Sequence, residues 1–76
     1  MPGDTAGGIY RGTVLNTQDP SGAGRVQVLV PAVSGQTSGW ALACEPMPKF
    51  QAGDTAWVMF EAGDAARPVC IGRLSR

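Results

Sequence analysis

Any catalysis by this chain would have to proceed without histidine, because its 76 residues contain none. That removes the Ser–His and Cys–His pairs that activate most hydroxyl and thiol nucleophiles. Ser21, Ser34, Ser38 and Ser75 stand in segments that read as turns, loops or C-terminal tail, where serine is ordinary. Asp54, Asp64 and Glu61 are the carboxylates whose spacing invites an acid–base role. Each Asp directly follows a glycine, in Ala52-Gly53-Asp54 and Ala62-Gly63-Asp64, and that is the pattern of a turn whose Asp caps its own backbone. Glu61 falls at a strand end and reads as solvated or paired with an arginine. Cys44 and Cys70 offer two thiolates against the four soft ligands of a structural zinc site, so no metal is expected. They form no disulfide framework, although they are free to lie side by side in the fold. They read as small buried apolar residues in a reducing compartment. Gly22-Ala23-Gly24 lacks the third glycine of a dinucleotide fingerprint and the lysine of a phosphate loop. No cofactor is expected, and the chain reads as non-enzymatic.

The elements that would position these residues are short and heavily punctuated. Eleven glycines and six prolines divide the chain into brief apolar runs, the pattern of a small all-β domain. Ile9 to Asn16 reads as a first strand, with Gly12 as a bulge or sharp bend. Asp19-Pro20-Ser21-Gly22-Ala23-Gly24 reads as a turn. From Arg25 to Val30 the apolar residues alternate, so Val26, Val28 and Val30 share one face and Arg25 and Gln27 the other. Pro31 ends that strand, and residues 32–39 read as a solvated loop. Trp40 to Cys44 supplies a third strand, Thr55 to Glu61 a fourth and Pro68 to Leu74 a fifth. Five short strands predict an all-β fold, a small five-stranded OB-type barrel. The polar, glycine-rich residues 1–8 read as a flexible N-terminal arm and residues 9–76 as the barrel domain.

A domain this small buries only about 60% of the surface its unfolded chain exposes, so a partner subunit is the expected source of extra stability. Six basic and six acidic side chains cancel, and the basic footprint of a nucleic-acid binder is missing. No apolar run approaches the roughly 18 residues of a membrane-spanning helix. The N-terminus has neither the basic nor the apolar region of a signal peptide. The chain is therefore expected to be made in the cytoplasm and not to insert into a membrane by itself.

Taken in order, the motifs resemble one family. Asp19-Pro20, Gly24-Arg25-Val26-Gln27-Val28, Pro31 and Trp40-Ala41 come first. The run Gly53-Asp54-Thr55-Ala56-Trp57-Val58-Met59-Phe60-Glu61-Ala62-Gly63-Asp64 follows, then Pro68-Val69 and Ile71-Gly72. Together they resemble the OB domain of phage baseplate spike proteins and of the valine-glycine repeat proteins of type VI secretion systems. The resemblance marks Gly24, Arg25, Pro31, Trp40, Gly53, Asp54, Trp57, Phe60, Gly63, Asp64, Pro68 and Gly72 as signature structural positions. It implies a homotrimeric ring beneath a tail hub protein, in a virion tail or baseplate whose chains are made in the host bacterial cytoplasm. The family's spike or lysozyme domain would lie beyond the barrel, and this sequence stops at Arg76. The resemblance thus leads to the expectation of a separate spike or tip subunit, with this chain as the adaptor joining hub to tip.

Two arrangements of the fourth strand are open. Burying Ala56, Val58 and Phe60 turns Thr55, Trp57, Met59 and Glu61 outward, whereas the reverse buries Trp57 and Met59. Either leaves large apolar groups outside a very small barrel, a mark of subunit contact. Trp57 and Met59 are the candidate interface residues, the alternative being a Trp57 covered by the N-terminal arm. The rival function is that of an OB-fold module binding single-stranded nucleic acid, with Tyr10, Trp40, Phe50, Trp57 and Phe60 as stacking groups. Zero net charge weighs against it, and no nucleic-acid partner is expected.

Overall fold

The alternating segments form five strands in a computed structural model that describes residues 6–46 and 48–74. They are β1 (Tyr10–Asn16), β2 (Val26–Leu29), β3 (Ser38–Ala43), β4 (Thr55–Phe60) and β5 (Pro68–Arg73). The strands close into one barrel in the order β1, β2, β3, β5, β4 and back to β1. Pairing is antiparallel throughout except between β3 and β5, which run parallel. This is an OB-type barrel, and closure gives every strand two neighbours. Residues 1–5 of the expected arm, and residues 47, 75 and 76 of the expected domain, lie outside the described residues.

Alternation decides what fills the barrel. Val14 points in from β1, Val26 and Val28 from β2, Ala41 from β3, Ala56, Val58 and Phe60 from β4, and Cys70 from β5. Val30, just past β2, joins them. Of the two arrangements of the fourth strand, the one with Ala56, Val58 and Phe60 inside is therefore the one adopted. The lining is mostly valine and alanine, compact residues that suit a narrow interior, and valine fits a pleated wall well.

Three expectations change. Gly12 is not at a bulge, because β1 shifts register between Val14 and Asn16 instead. A Cβ at Gly12 would stand 3.0 Å from Val30 Cγ2, 3.2 Å from Val58 Cγ2 and 3.3 Å from the Leu29 carbonyl oxygen. Glycine is needed there for room. Within the expected loop 32–39, Pro31–Ser34 forms a one-turn helix, α1, and β3 starts early at Ser38. Pro31 supplies a φ suited to a helix start, the N–H groups of Ser34 and Gly35 donate to the Val30 and Pro31 carbonyls, and Val33 packs on the core. Ser38 and Gly39 extend β3 by pairing with Leu29 and Val28. Finally, only one cysteine is buried. Cys70 faces the interior, where burial pushes its thiol pKa up, but Cys44 follows the end of β3 and is exposed. The two are joined through the backbone, Cys44 N–H donating to the Cys70 carbonyl at 3.0 Å, and both thiols are free.

Topology sorts the loops into two ends. The β1–β2 loop and the β3–β4 connection share one end, where Gly53 N–H donates to the Val14 carbonyl at 2.7 Å and Val14 N–H to the Asp54 carbonyl at 2.8 Å. The other end holds α1, the β4–β5 loop and Ala6, a buried residue whose N–H donates to the Gly63 carbonyl at 2.8 Å.

Candidate functional site

The end loops are held by carboxylates. Asp19 gathers its whole turn: the N–H groups of Ser21, Ala23 and Arg25, the Ser21 hydroxyl, and Nε and Nη2 of Arg25 all donate to it at 2.9–3.1 Å. The Arg25 guanidinium, helped by backbone N–H donors, holds the Asp19 carboxyl far below the usual carboxylate range, outweighing the opposing effect of burial. Arg25 also lies over the Trp40 ring at 5.6 Å, so loop, strand β2 and strand β3 are tied by one side chain.

The two Gly-Asp turns repeat this at opposite ends. Gly53 and Gly63 take φ of 95° and 74°, a region open to glycine. Asp54 accepts the Gln51 N–H at 2.8 Å and Asp64 accepts the Ala66 N–H at 2.9 Å. The carboxylates whose spacing invited an acid–base pair thus sit at different ends of the barrel, each engaged in its own turn. Glu61 pairs with Arg67 at 3.0 Å on the surface. Among the described residues no three His, Cys, Asp or Glu side chains gather as a metal site would need.

Each end is concave. A recess of about 520 Å³ opens between the β1–β2 loop and the β3–β4 connection, lined by Thr17, Gly24, Arg25, Lys49, Phe50 and Gln51 among others. A smaller one of about 220 Å³ opens at the other end beside Val30, Ser34, Thr37, Phe60, Ala66 and Pro68.

The sides of the barrel are apolar in one sector. On β4, Met59 is exposed and Trp57 half-buried, with the Arg11 guanidinium 5.5 Å over the Trp57 ring. Met59 lies opposite Val69 of β5, which in turn lies opposite Leu42 of β3. Leu42, Met59 and Ile71 are all large, apolar and exposed. Leu42, Val69 and Ile71 were not legible as neighbours of Met59 in the sequence, because their adjacency depends on the parallel β3–β5 pairing.

The remaining signature residues serve the scaffold. Pro31 opens α1, Pro68 begins β5 and is buried, Gly72 lies opposite Trp57, and Phe60 is buried. The five aromatic residues do not share a surface. Tyr10 packs edge-on against Phe60 at 5.7 Å, Phe50 packs on the core, and Trp40 and Trp57 each lie under an arginine.

No curated protein matches the chain. Residues 10–74, from the start of β1 to just beyond β5, match the family described as the type VI secretion system/phage-baseplate injector OB domain. With a closed five-stranded OB barrel and a match over nearly its whole length, the chain belongs to that family.

Proposed function

We propose that this barrel is a non-catalytic ring component of a phage tail or contractile-injection baseplate, a homotrimer seated between a tail hub protein and a separate spike or tip subunit. Family membership supplies the structural baseplate role. The adaptor role rests on one observation: both ends of the barrel are concave and walled by loops already fixed by Asp19, Asp54 and Asp64. Loops fixed in advance lose little conformational entropy when a partner docks. An element with two such ends is suited to being held from above and below along a tail axis.

The side of the barrel supports self-association. Large apolar groups on the outside of a 76-residue domain are surface that a partner copy would bury. Single-stranded nucleic acid is less well served. Arg25 and Arg67 are already paired with carboxylates, and the aromatic groups are scattered or covered. Light scattering across a dilution series, with fluorescence anisotropy against a labelled single strand, tests these points together. The expected result is a trimer that leaves the strand free. Submicromolar binding with a steep salt dependence would instead make it a nucleic-acid module. Peptidoglycan hydrolysis abolished by substituting Asp54, Asp64 or Glu61 would overturn the non-catalytic assignment.

A further inference from the structure

The seam that closes the barrel is shorter than the strand it closes. β3 runs from Ser38 to Ala43, but only Leu42 and Ala43 pair with β5, opposite Val69 and Cys70. Backbone groups of successive strand residues point to opposite edges. Cys44 N–H donates to the Cys70 carbonyl, so the even-numbered residues of β3 turn their N–H and carbonyl toward β5. One step back along the ladder, the Trp40 carbonyl needs an N–H from residue 68, and Pro68 has none. The Trp40 N–H needs the Ala66 carbonyl, but there the chain has turned away. Arg67 N–H donates to the Asp64 carbonyl at 2.9 Å, and the Arg67 carbonyl accepts the Glu61 N–H at 3.0 Å. Among the described residues, the Trp40 N–H and carbonyl therefore meet no backbone partner on that edge. Two recesses flank the open stretch. The one of about 220 Å³ at the α1 end reaches Ser38 and Gly39, and another of about 210 Å³ lies on the outer wall beside Trp40, Leu42 and Arg67. Ala66 and Pro68 line both.

We infer that this open seam receives an extended segment of a different polypeptide, added as a short strand against Ser38–Trp40. Free N–H and carbonyl groups along a strand edge are complementary to an extended backbone, which repeats the same groups at the same spacing. Three residues of β3 cover about 10 Å at about 3.3 Å each, so the added strand is brief. Its inward side chains meet Val30, Phe60 and Pro68, all buried, and apolar residues suit them. Its outward side chains lie beside Trp40 and beside Arg67, whose charge Glu61 already matches at 3.0 Å. Uncharged polar residues suit that side. The partner is thus an extended segment in which apolar and uncharged polar residues alternate. Pro68 has a role in this beyond opening β5: by withholding a donor it keeps the seam unpaired. The adaptor reading above supplies the source of the segment, a chain docked on the α1 end, whereas the open edge itself stands without that reading.

A capped hexapeptide of alternating valine and threonine is the probe, titrated into the isotope-labelled full chain and followed by NMR. The Ser38 and Trp40 amide signals are expected to move. Exchange of the Trp40 N–H with solvent should slow about tenfold once free peptide reaches about ten times its Kd. Ala66 is exposed and lines both recesses, so Ala66→Trp should fill the seam and abolish these changes. Ala23, equally exposed on the β1–β2 loop at the other end, provides the control, and Ala23→Trp should respond as the wild type does. Should Ala66→Trp fail to fold, the wild-type titration decides alone. Shifts confined to Lys49 and Phe50 would overturn the seam as the docking site while leaving the two-ended adaptor intact. Unmoved amides at every peptide concentration, or an Ala66→Trp chain that binds as the wild type does, would also overturn it. Binding at the seam by a protein then found on the outer surface of the tail would uphold the strand addition and contradict the adaptor reading alone.

Discussion

Replacing Gly12 by alanine tests how tightly the barrel closes. The added carbon would stand 3.0 Å from Val30 Cγ2, 3.2 Å from Val58 Cγ2 and 3.3 Å from the Leu29 carbonyl oxygen. Carbon atoms pack best at about 3.5–4.0 Å. Both valines are buried in one core, and Leu29 is held opposite Thr13 in the β1–β2 ladder, so none of the three neighbours can easily give way. Forcing a methyl into such a place costs about 1–3 kcal/mol. Alanine also restricts the unfolded chain, which offsets about 0.4–1 kcal/mol. A net loss of about 1–2 kcal/mol remains, and in a domain of this length it lowers Tm by about 4–16 °C. Gly72→Ala is the matched control, since nothing lies within 4 Å of its Cβ position and its φ is not in the left-handed region. It should be neutral or raise stability by up to about 1 kcal/mol. Thermal unfolding followed by circular dichroism at one fixed concentration checks both, because self-association makes Tm depend on concentration. Gly12→Ala melting at or above the wild type, or both variants shifting alike, would refute the packing account.

Ala62 has φ 55° and ψ 23°, a left-handed conformation that costs a side chain about 1–2 kcal/mol. Ala62→Gly should raise the urea midpoint by the equivalent of about 0.5–1 kcal/mol after the entropy of glycine is counted. Asp19 has its pKa lowered on folding, chiefly by Arg25, so its contribution to stability is complete above the ordinary carboxylate pKa of about 4 and drains away as pH falls below it. Urea midpoints measured from pH 2 to pH 5 should rise more steeply for the wild type than for Asp19→Asn. A thiol reagent should modify one site in the folded protein, Cys44, and reach Cys70 only in denaturant, as mass spectrometry of the labelled chain would show.

The local features were legible wherever neighbours in sequence are neighbours in space. Val26, Val28 and Val30 share a face because a strand alternates, and Gly53-Asp54 and Gly63-Asp64 turn because their φ and capping needs are met within four residues. Pro68 could be placed at the head of a strand because it has no N–H to donate. What escaped depends on distant pairing. Gly12 looks like a bend in sequence and proves to be a gap for Val30 and Val58, which only closure of the barrel brings against it. The Asp19–Arg25 pair spans a turn in which either residue alone is ordinary. Cys44 looks apolar and buried by its neighbours, yet β3 ends one residue before it. Met59 was recognisable as an outward apolar residue, but the row it forms with Val69 and Leu42 needs the strand order β3, β5, β4. That order brings the third and last strands together in parallel, and no spacing in the chain announces it.

The central claim is that three of these barrels form a ring on the axis of a tail, and a reconstruction of the intact particle by electron cryomicroscopy tests it most directly. Three copies about the tail axis are expected, with one loop end against the hub and the other against the tip. Density for the protein on the outer surface of the tail, or its absence from the mature particle, would contradict it.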